Sequence, residues 1–193
     1  MLCFFISQPL LRIPLLNWVQ GTIEFNILLM SNPMLLIALI ALSAGIFEEV
    51  FRFIFKQFFI RPKGPTLLQP ILFGLGHGFM EVLIIFIPNM SQMINMGTLP
   101  IAIVERVLAI VGHVFFTIIV WNGFQRNKKL QYLILGIIAH GLLDFIAGIG
   151  LSQGFNIWMV ELIFALFDIV GIIYIINSKK YYVEEKQWKQ KRK

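Results

Sequence analysis

Cysteine occurs once, at Cys3, so no internal disulfide can staple this chain. Charge is scarce as well: Asp, Glu, Lys and Arg make up 13% of the 193 residues, against about 25% in an ordinary soluble domain. A chain this short with so few polar side chains cannot cover a water-soluble globule. No long polar tract is present, and nineteen Phe argue against disorder. What abounds is apolar, with 58% hydrophobic residues and a mean hydropathy of +0.82. The fold class left standing is an all-α, multi-pass transmembrane helix bundle.

The net charge of +6 sits mostly at one end. Lys179, Lys180, Lys186, Lys189, Lys191, Arg192 and Lys193 outweigh Glu184 and Glu185, so the tail carries +5 of it. That pattern excludes a nucleic-acid partner in favour of the bilayer: basic residues beside an apolar segment set membrane orientation or touch anionic lipid.

A helix needs about 20 apolar residues to cross the hydrocarbon core. Five stretches qualify: Met34 to Ile60, Thr66 to Ile87, Leu99 to Trp121, Leu130 to Gly150 and Asn156 to Asn177. A shorter segment, Leu2 to Val19, is interrupted by Arg12 and Pro14, and either spans or lies along the interface. It lacks the basic start and small-residue cleavage site of a secretory signal, so it reads as retained. Arg61 and Lys63, then Arg126, Lys128 and Lys129, then the tail lie on alternate connections; Pro88 to Thr98 and Leu151 to Phe155 carry no Lys or Arg. This predicts a cell-membrane protein with a cytoplasmic C-terminus. Residues 1–178 read as one integral-membrane domain, its catalytic core about 34–150, and 179–193 as a basic cytoplasmic tail.

Charge at mid-membrane costs about 2.5 to 3.5 kcal/mol per group. The spans nonetheless hold Glu48, Glu49, Arg52, His77, Glu81, Glu105, Arg106, His113, His140 and Asp144, including every histidine of the chain. Such groups must face one another in a polar interior. Glu48 and Arg52, His77 and Glu81, and His140 and Asp144 are each four apart, about 40° on a helix, so three helices each carry an ionisable stripe. Arg106 and His113 are seven apart, with Glu105 alongside. Arg52 falls angularly between Glu48 and Glu49 and can pair with either. Glycines 74, 76 and 78 around His77 predict a tight helix crossing. His113 reads first as a packing histidine supporting the site, and Glu105 with Arg106 as a structural ion pair. Glu161 and Asp168 face the same interior without further ties to chemistry. Lys56 is placed to snorkel.

Paired glutamates, two histidines and an arginine in a dry interior are the parts of water activation: a glutamate takes the proton, a histidine relays it, and a polar group steadies the oxyanion. No Ser or Cys stands beside a base; Ser43 is about 140° around its helix from Glu48. The composition suits amide hydrolysis without a cofactor. The alternative is a zinc held by His77, His140 and Glu48, although no HExxH is present and His77-Gly-Phe-Met-Glu81 has the wrong order.

The strings Phe47-Glu48-Glu49-Val50-Phe51-Arg52, Phe73-Gly-Leu-Gly-His77 and His140-Gly-Leu-Leu-Asp144 resemble the three motifs of the glutamate-type intramembrane proteases, the group that includes CAAX prenyl proteases and bacteriocin-processing enzymes. Within that group, Gly74-Leu-Gly-His-Gly-Phe-Met-Glu81 is most similar to the YhfC family of bacterial membrane peptidases. The resemblance runs from about Gly45 to Phe145, over half the chain. It implies that a glutamate of the pair activates water, that His77 assists, and that His140 with its partner four residues on orients substrate or stabilises the oxyanion. A peptide or membrane-protein substrate follows. Two departures stand out. The broader group places three residues between the second glutamate and the arginine; this chain has two, which favours Glu48 as the base. Asp144 stands where many members have Asn, and an ionised Asp cannot donate to an oxyanion, so Asp144 is expected to orient His140. Two rival functions fit the same buried charges: a proton- or ion-coupled transporter, and a non-catalytic membrane partner that keeps the peptidase fold.

Overall fold

The computed structural model describes residues 1–60 and 66–183. Seven helices and no strand are present among them. They are α1 (Leu2–Gln20), α2 (Ile23–Ser31), α3 (Pro33–Phe59), α4 (Leu68–Asn95), α5 (Leu99–Gln125), α6 (Lys129–Ser152) and α7 (Ile157–Tyr181). All but α2 are long and apolar enough to cross a membrane, as the all-α multi-pass reading requires. The N-terminal segment is thus one uninterrupted helix of spanning length. The short connector α2 has no counterpart in the sequence-based expectation. It is capped by Thr22, whose Oγ1 accepts from Phe25 N, and α3 by Asn32 ahead of Pro33.

Proline locates two of the three π-helical turns among the described residues; the third, Phe55–Phe59, has none. Proline lacks an N–H, and its ring presses on the carbonyl four residues earlier. Residues Ile6–Arg12 around Pro9, and Val82–Phe86 ahead of Pro88, widen into π-helical turns that absorb this conflict without ending the helix. Hence α4 continues to Asn95, and the connection expected over Pro88 to Thr98 shrinks to Met96–Thr98. Arg61, Lys63 and the tail from Glu184 onward, which entered the orientation argument, lie outside the described residues.

Helix α5 is the axis of the bundle. From Gly112 to Gly123 every residue is buried, because α4, α6 and α7 all pack on it. Phe115, Phe116 and Ile119 of α5 form an apolar cluster with Leu143 of α6. On the other side α3 lies along α6. Two glycines permit these approaches: a Cβ at Gly74 would stand 2.6 Å from Val114 Cα, and one at Gly45 2.6 Å from the Ile137 carbonyl oxygen. Gly78 also faces α5, at Ile110 and His113, whereas Gly76 points toward Met1. Glycines 74 and 78 therefore make the expected tight crossing at His77. Lys56 departs from expectation: it is buried, its ammonium 5.4 Å from the Trp121 ring centroid, because α5 covers that face of α3.

Candidate active site

Helices α3, α4, α5 and α6 each turn their ionisable stripe inward, and the side chains meet. Glu49, Arg52 and His77 are each 0% exposed. The Arg52 guanidinium bridges the glutamate pair: Nη2 donates to Glu48 Oε2 at 3.0 Å and Nη1 to Glu49 Oε1 at 2.5 Å. It pairs with both carboxylates at once, since its fork offers two N–H groups to the two stripes flanking it. His77 reaches Glu48 Oε2 through Nε2 at 2.9 Å, and His140 reaches Glu49 Oε1 through Nδ1 at 2.8 Å. Each imidazole thus serves one carboxylate.

His113 belongs to this cluster rather than to the apolar packing around it. Arg52 Nη2 donates to His113 Nδ1 at 2.7 Å, and a guanidinium can only donate, so the ring proton sits on Nε2. That nitrogen contacts Glu81 Oε2 at 2.5 Å, and Nδ1 lies 3.6 Å from Glu48 Oε2. The three imidazoles form a row, with ring centroids 4.9 Å apart from His77 to His113 and 6.3 Å from His113 to His140. His140 is stacked flat on Phe116 at 4.5 Å, and Phe4 meets His77 edge-on.

Several partners cross between helices where the i, i+4 spacing had paired them along one. Glu81 contacts His113 and Arg106 of α5, not His77. Arg106 also pairs with its neighbour Glu105, so the two form the expected ion pair with Glu81 as a third member. Asp144 Oδ2 is 3.7 Å from His140 Nε2, beyond hydrogen-bond range, and its side chain is 37% exposed. Glu161 and Asp168 are buried on α7, but neither hydrogen-bonds to the cluster among the described residues.

A cavity of about 230 Å³ opens onto the cluster, walled by Glu48, Glu81, His113, His140 and Asp144 with Gln8 of α1. Glu49 stands behind Glu48. The α1 contribution was not anticipated. Gln8 Nε2 donates to Glu48 Oε1 at 2.9 Å, and Gln8 Oε1 accepts from Arg12 Nη1 at 3.1 Å. Arg12 also donates to Ser43 Oγ and to the Ile40 carbonyl, which anchors α1 to α3. A signal existed, since Gln8 and Arg12 are four apart in an apolar helix, the same spacing that marked the other stripes.

Two groups of donor atoms lie within 4.8 Å of one another: Glu48, His77 and His113, and Glu48, Glu49 and His140. The His77, His140 and Glu48 set expected from sequence is divided between them, with Glu48 common to both. Two imidazoles and a carboxylate suit zinc. Buried Glu49 Oε2 and His77 Nδ1 have no hydrogen-bond partner among the described residues. The carboxylates of the cluster (Glu48, Glu49, Glu81, Glu105, Asp144) outnumber its guanidiniums (Arg12, Arg52, Arg106), an excess that a divalent cation would offset. The residues present therefore fit a metal.

The family model for the YhfC intramembrane metalloprotease matches residues 1–99 and 86–164. The chain belongs to the YhfC intramembrane metalloprotease family. It is also 25% identical over 217 aligned positions, 94% of this chain and 83% of the relative, to the protein described as uncharacterized membrane protein YhfC of Bacillus subtilis (strain 168). No solved structure matches. The family description supports an intramembrane peptidase. It also runs against the cofactor-free chemistry preferred from composition and toward the zinc alternative.

Proposed function

We propose that this multi-pass membrane protein is a peptidase that hydrolyses a peptide bond of a peptide or membrane protein, with Glu48 as the base. The observation that carries the reading is the position of Glu48. It is the one carboxylate of the pair that borders the cavity, and it is held at once by His77, Arg52 and Gln8. A carboxylate fixed from three sides keeps one orientation toward a water in the cavity, and preorganisation of this kind lowers the barrier to attack. His77 shares the proton with Glu48, Arg52 and Glu49 back Glu48 from behind, and His140, held by Glu49, lines the cavity. Asp144, exposed to the cavity, faces substrate.

Glu48, His77 and His113 would hold the metal that the family description implies, with Glu48, Glu49 and His140 as the second donor group; one oxygen of Glu48 would serve as ligand and the other remain as the base. Bound there, a divalent cation would polarise a carbonyl and acidify water. The basic residues 179–193 and the uncharged opposite connections support a cytoplasmic C-terminus.

The test compares new peptide termini in membranes of a host expressing the wild type and Glu48→Gln at equal abundance. Termini that vanish with Glu48→Gln are expected. Termini identical in both would reject the reading, and pH-driven solute uptake into proteoliposomes in their place would favour a transporter.

A further inference from the structure

Amide hydrolysis needs a hydrogen-bond donor beside the base, where the carbonyl oxygen becomes an oxyanion. The guanidiniums at and behind the cavity wall are engaged: Arg106 with Glu81 and Glu105, Arg12 with Gln8, Ser43 and Ile40, and Arg52 with both glutamates and His113. His113 Nε2 is taken by Glu81, and His140 is paired with Glu49 through Nδ1, its Nε2 standing 3.7 Å from Asp144 on the Asp144 side of the cavity. Asp144 carries no donor when ionised. One carboxamide lines the cavity among the described residues, that of Gln8.

We propose that Gln8 is a catalytic residue, the neutral N–H donor to the oxyanion, and that Arg12 is its positioning residue. The proposal rests on the peptidase reading above. An amide nitrogen carries two hydrogens. One of those on Nε2 is directed at Glu48 Oε1; the other has no acceptor among the described residues and lies at the cavity wall next to the base. The amide cannot turn over, because Arg12 donates to its oxygen and is itself clamped by Ser43 Oγ at 3.0 Å and the Ile40 carbonyl at 3.0 Å. Gln8 is 3% exposed, and the π-helical turn around Pro9 sets its place on α1.

The step balances without a further reactant. Glu48 takes a proton from water while the water oxygen bonds to the carbonyl carbon. The C=O π pair moves onto oxygen, and that oxyanion accepts the free Gln8 N–H. Collapse restores the C=O bond and breaks C–N, and the departing nitrogen takes the proton from Glu48.

The experiment takes a cleavage sequence from termini that appear with the wild type and not with Glu48→Gln, and offers it as a quenched-fluorescent peptide to the purified full chain. Gln8→Met, of similar volume without a donor, is expected to lower kcat by about 10²- to 10³-fold with KM within threefold. Arg12→Lys, which keeps the charge but loses the fork to Ser43 and Ile40, is expected to lower kcat by about tenfold. Thermal unfolding in detergent, and binding of the same peptide with its scissile amide replaced by a tetrahedral phosphinate, separate catalysis from folding. Phosphinate affinity should fall with kcat/KM, while affinity for the uncleavable reduced-amide peptide stays constant. Unchanged kcat in Gln8→Met, or a loss confined to KM, overturns the proposal. Should Gln8→Met fail to fold, full kcat in Arg12→Lys overturns it. Termini that do not depend on Glu48, or a wild type that produces none, instead remove the peptidase reading beneath it.

Discussion

His77 and Glu48 come from different helices, 29 residues apart, and meet with Nε2 2.9 Å from Oε2 at the wall of the polar cavity. Groups that share one proton act as a unit, and removing either removes most of what both supply. We expect His77→Ala and Glu48→Gln each to slow cleavage by about 10²- to 10⁴-fold, and the double variant to be little slower than either single one. The rate at which new termini accumulate in host membranes checks this; multiplied losses would show that the two residues act separately.

Arg52 is fully buried between two carboxylates and has no solvent to share its charge. Removing it leaves Glu48 and Glu49 adjacent, without the guanidinium between them and with only His77, Gln8 and His140 as partners, and loss of one partner from a buried pair costs about 3 to 5 kcal/mol. Arg52→Met should therefore unfold at a clearly lower temperature in detergent than the wild type. Adding Glu48→Gln and Glu49→Gln to Arg52→Met should recover much of the loss while abolishing cleavage. A melting temperature unmoved by Arg52→Met would show that the carboxylates find another counter-charge.

How much of this was legible depends on what helical spacing can tell. Costly groups at four-residue intervals mark which face of a helix turns inward, and the four stripes built on Glu48, His77, Arg106 and His140 do converge. Spacing does not say which neighbour each group meets. Glu81 lies one turn from His77, yet its partners are His113 and Arg106 across the Gly78 crossing. His113 looked like a packing residue because its own helix offers it no acid one turn away; its partners, Arg52 and Glu81, come from α3 and α4. Gln8 left a weak trace because a neutral amide draws little notice beside charged groups, and Arg12 read as an interruption of the helix. Pro88 read as a loop, whereas a π-helical turn carried the helix through it.

Metal binding can be read without any substrate. Purified full-length protein stripped with chelator and titrated with Co²⁺ should take up one ion, with a visible spectrum that reports nitrogen and oxygen ligands. If Glu48, His77 and His113 hold it, His113→Ala should weaken affinity at least about tenfold, and His140→Ala should do so far less. The opposite ranking would move the ion to Glu48, Glu49 and His140. No uptake by the wild type would leave Glu48 to act with the histidines alone.

Gly74 tests whether the crossing of α4 and α5 builds the site. A Cβ there would stand 2.6 Å from Val114 Cα and 2.9 Å from the His113 carbonyl oxygen, both backbone atoms that cannot swing aside. Gly74→Ala must therefore push α4 off α5. His77 rides on α4 and His113 on α5, and the two face the same Glu48 carboxylate. Overpacking of this kind costs about 1 to 3 kcal/mol, so the variant should melt earlier, lose cleavage and bind Co²⁺ more weakly. Gly76→Ala is the control: its nearest neighbour, the Met1 nitrogen, is 3.4 Å away, and that residue can shift by the few tenths of an ångström required. Equal effects of the two substitutions would mean that general helix packing, not the crossing that joins His77 to His113, limits this site.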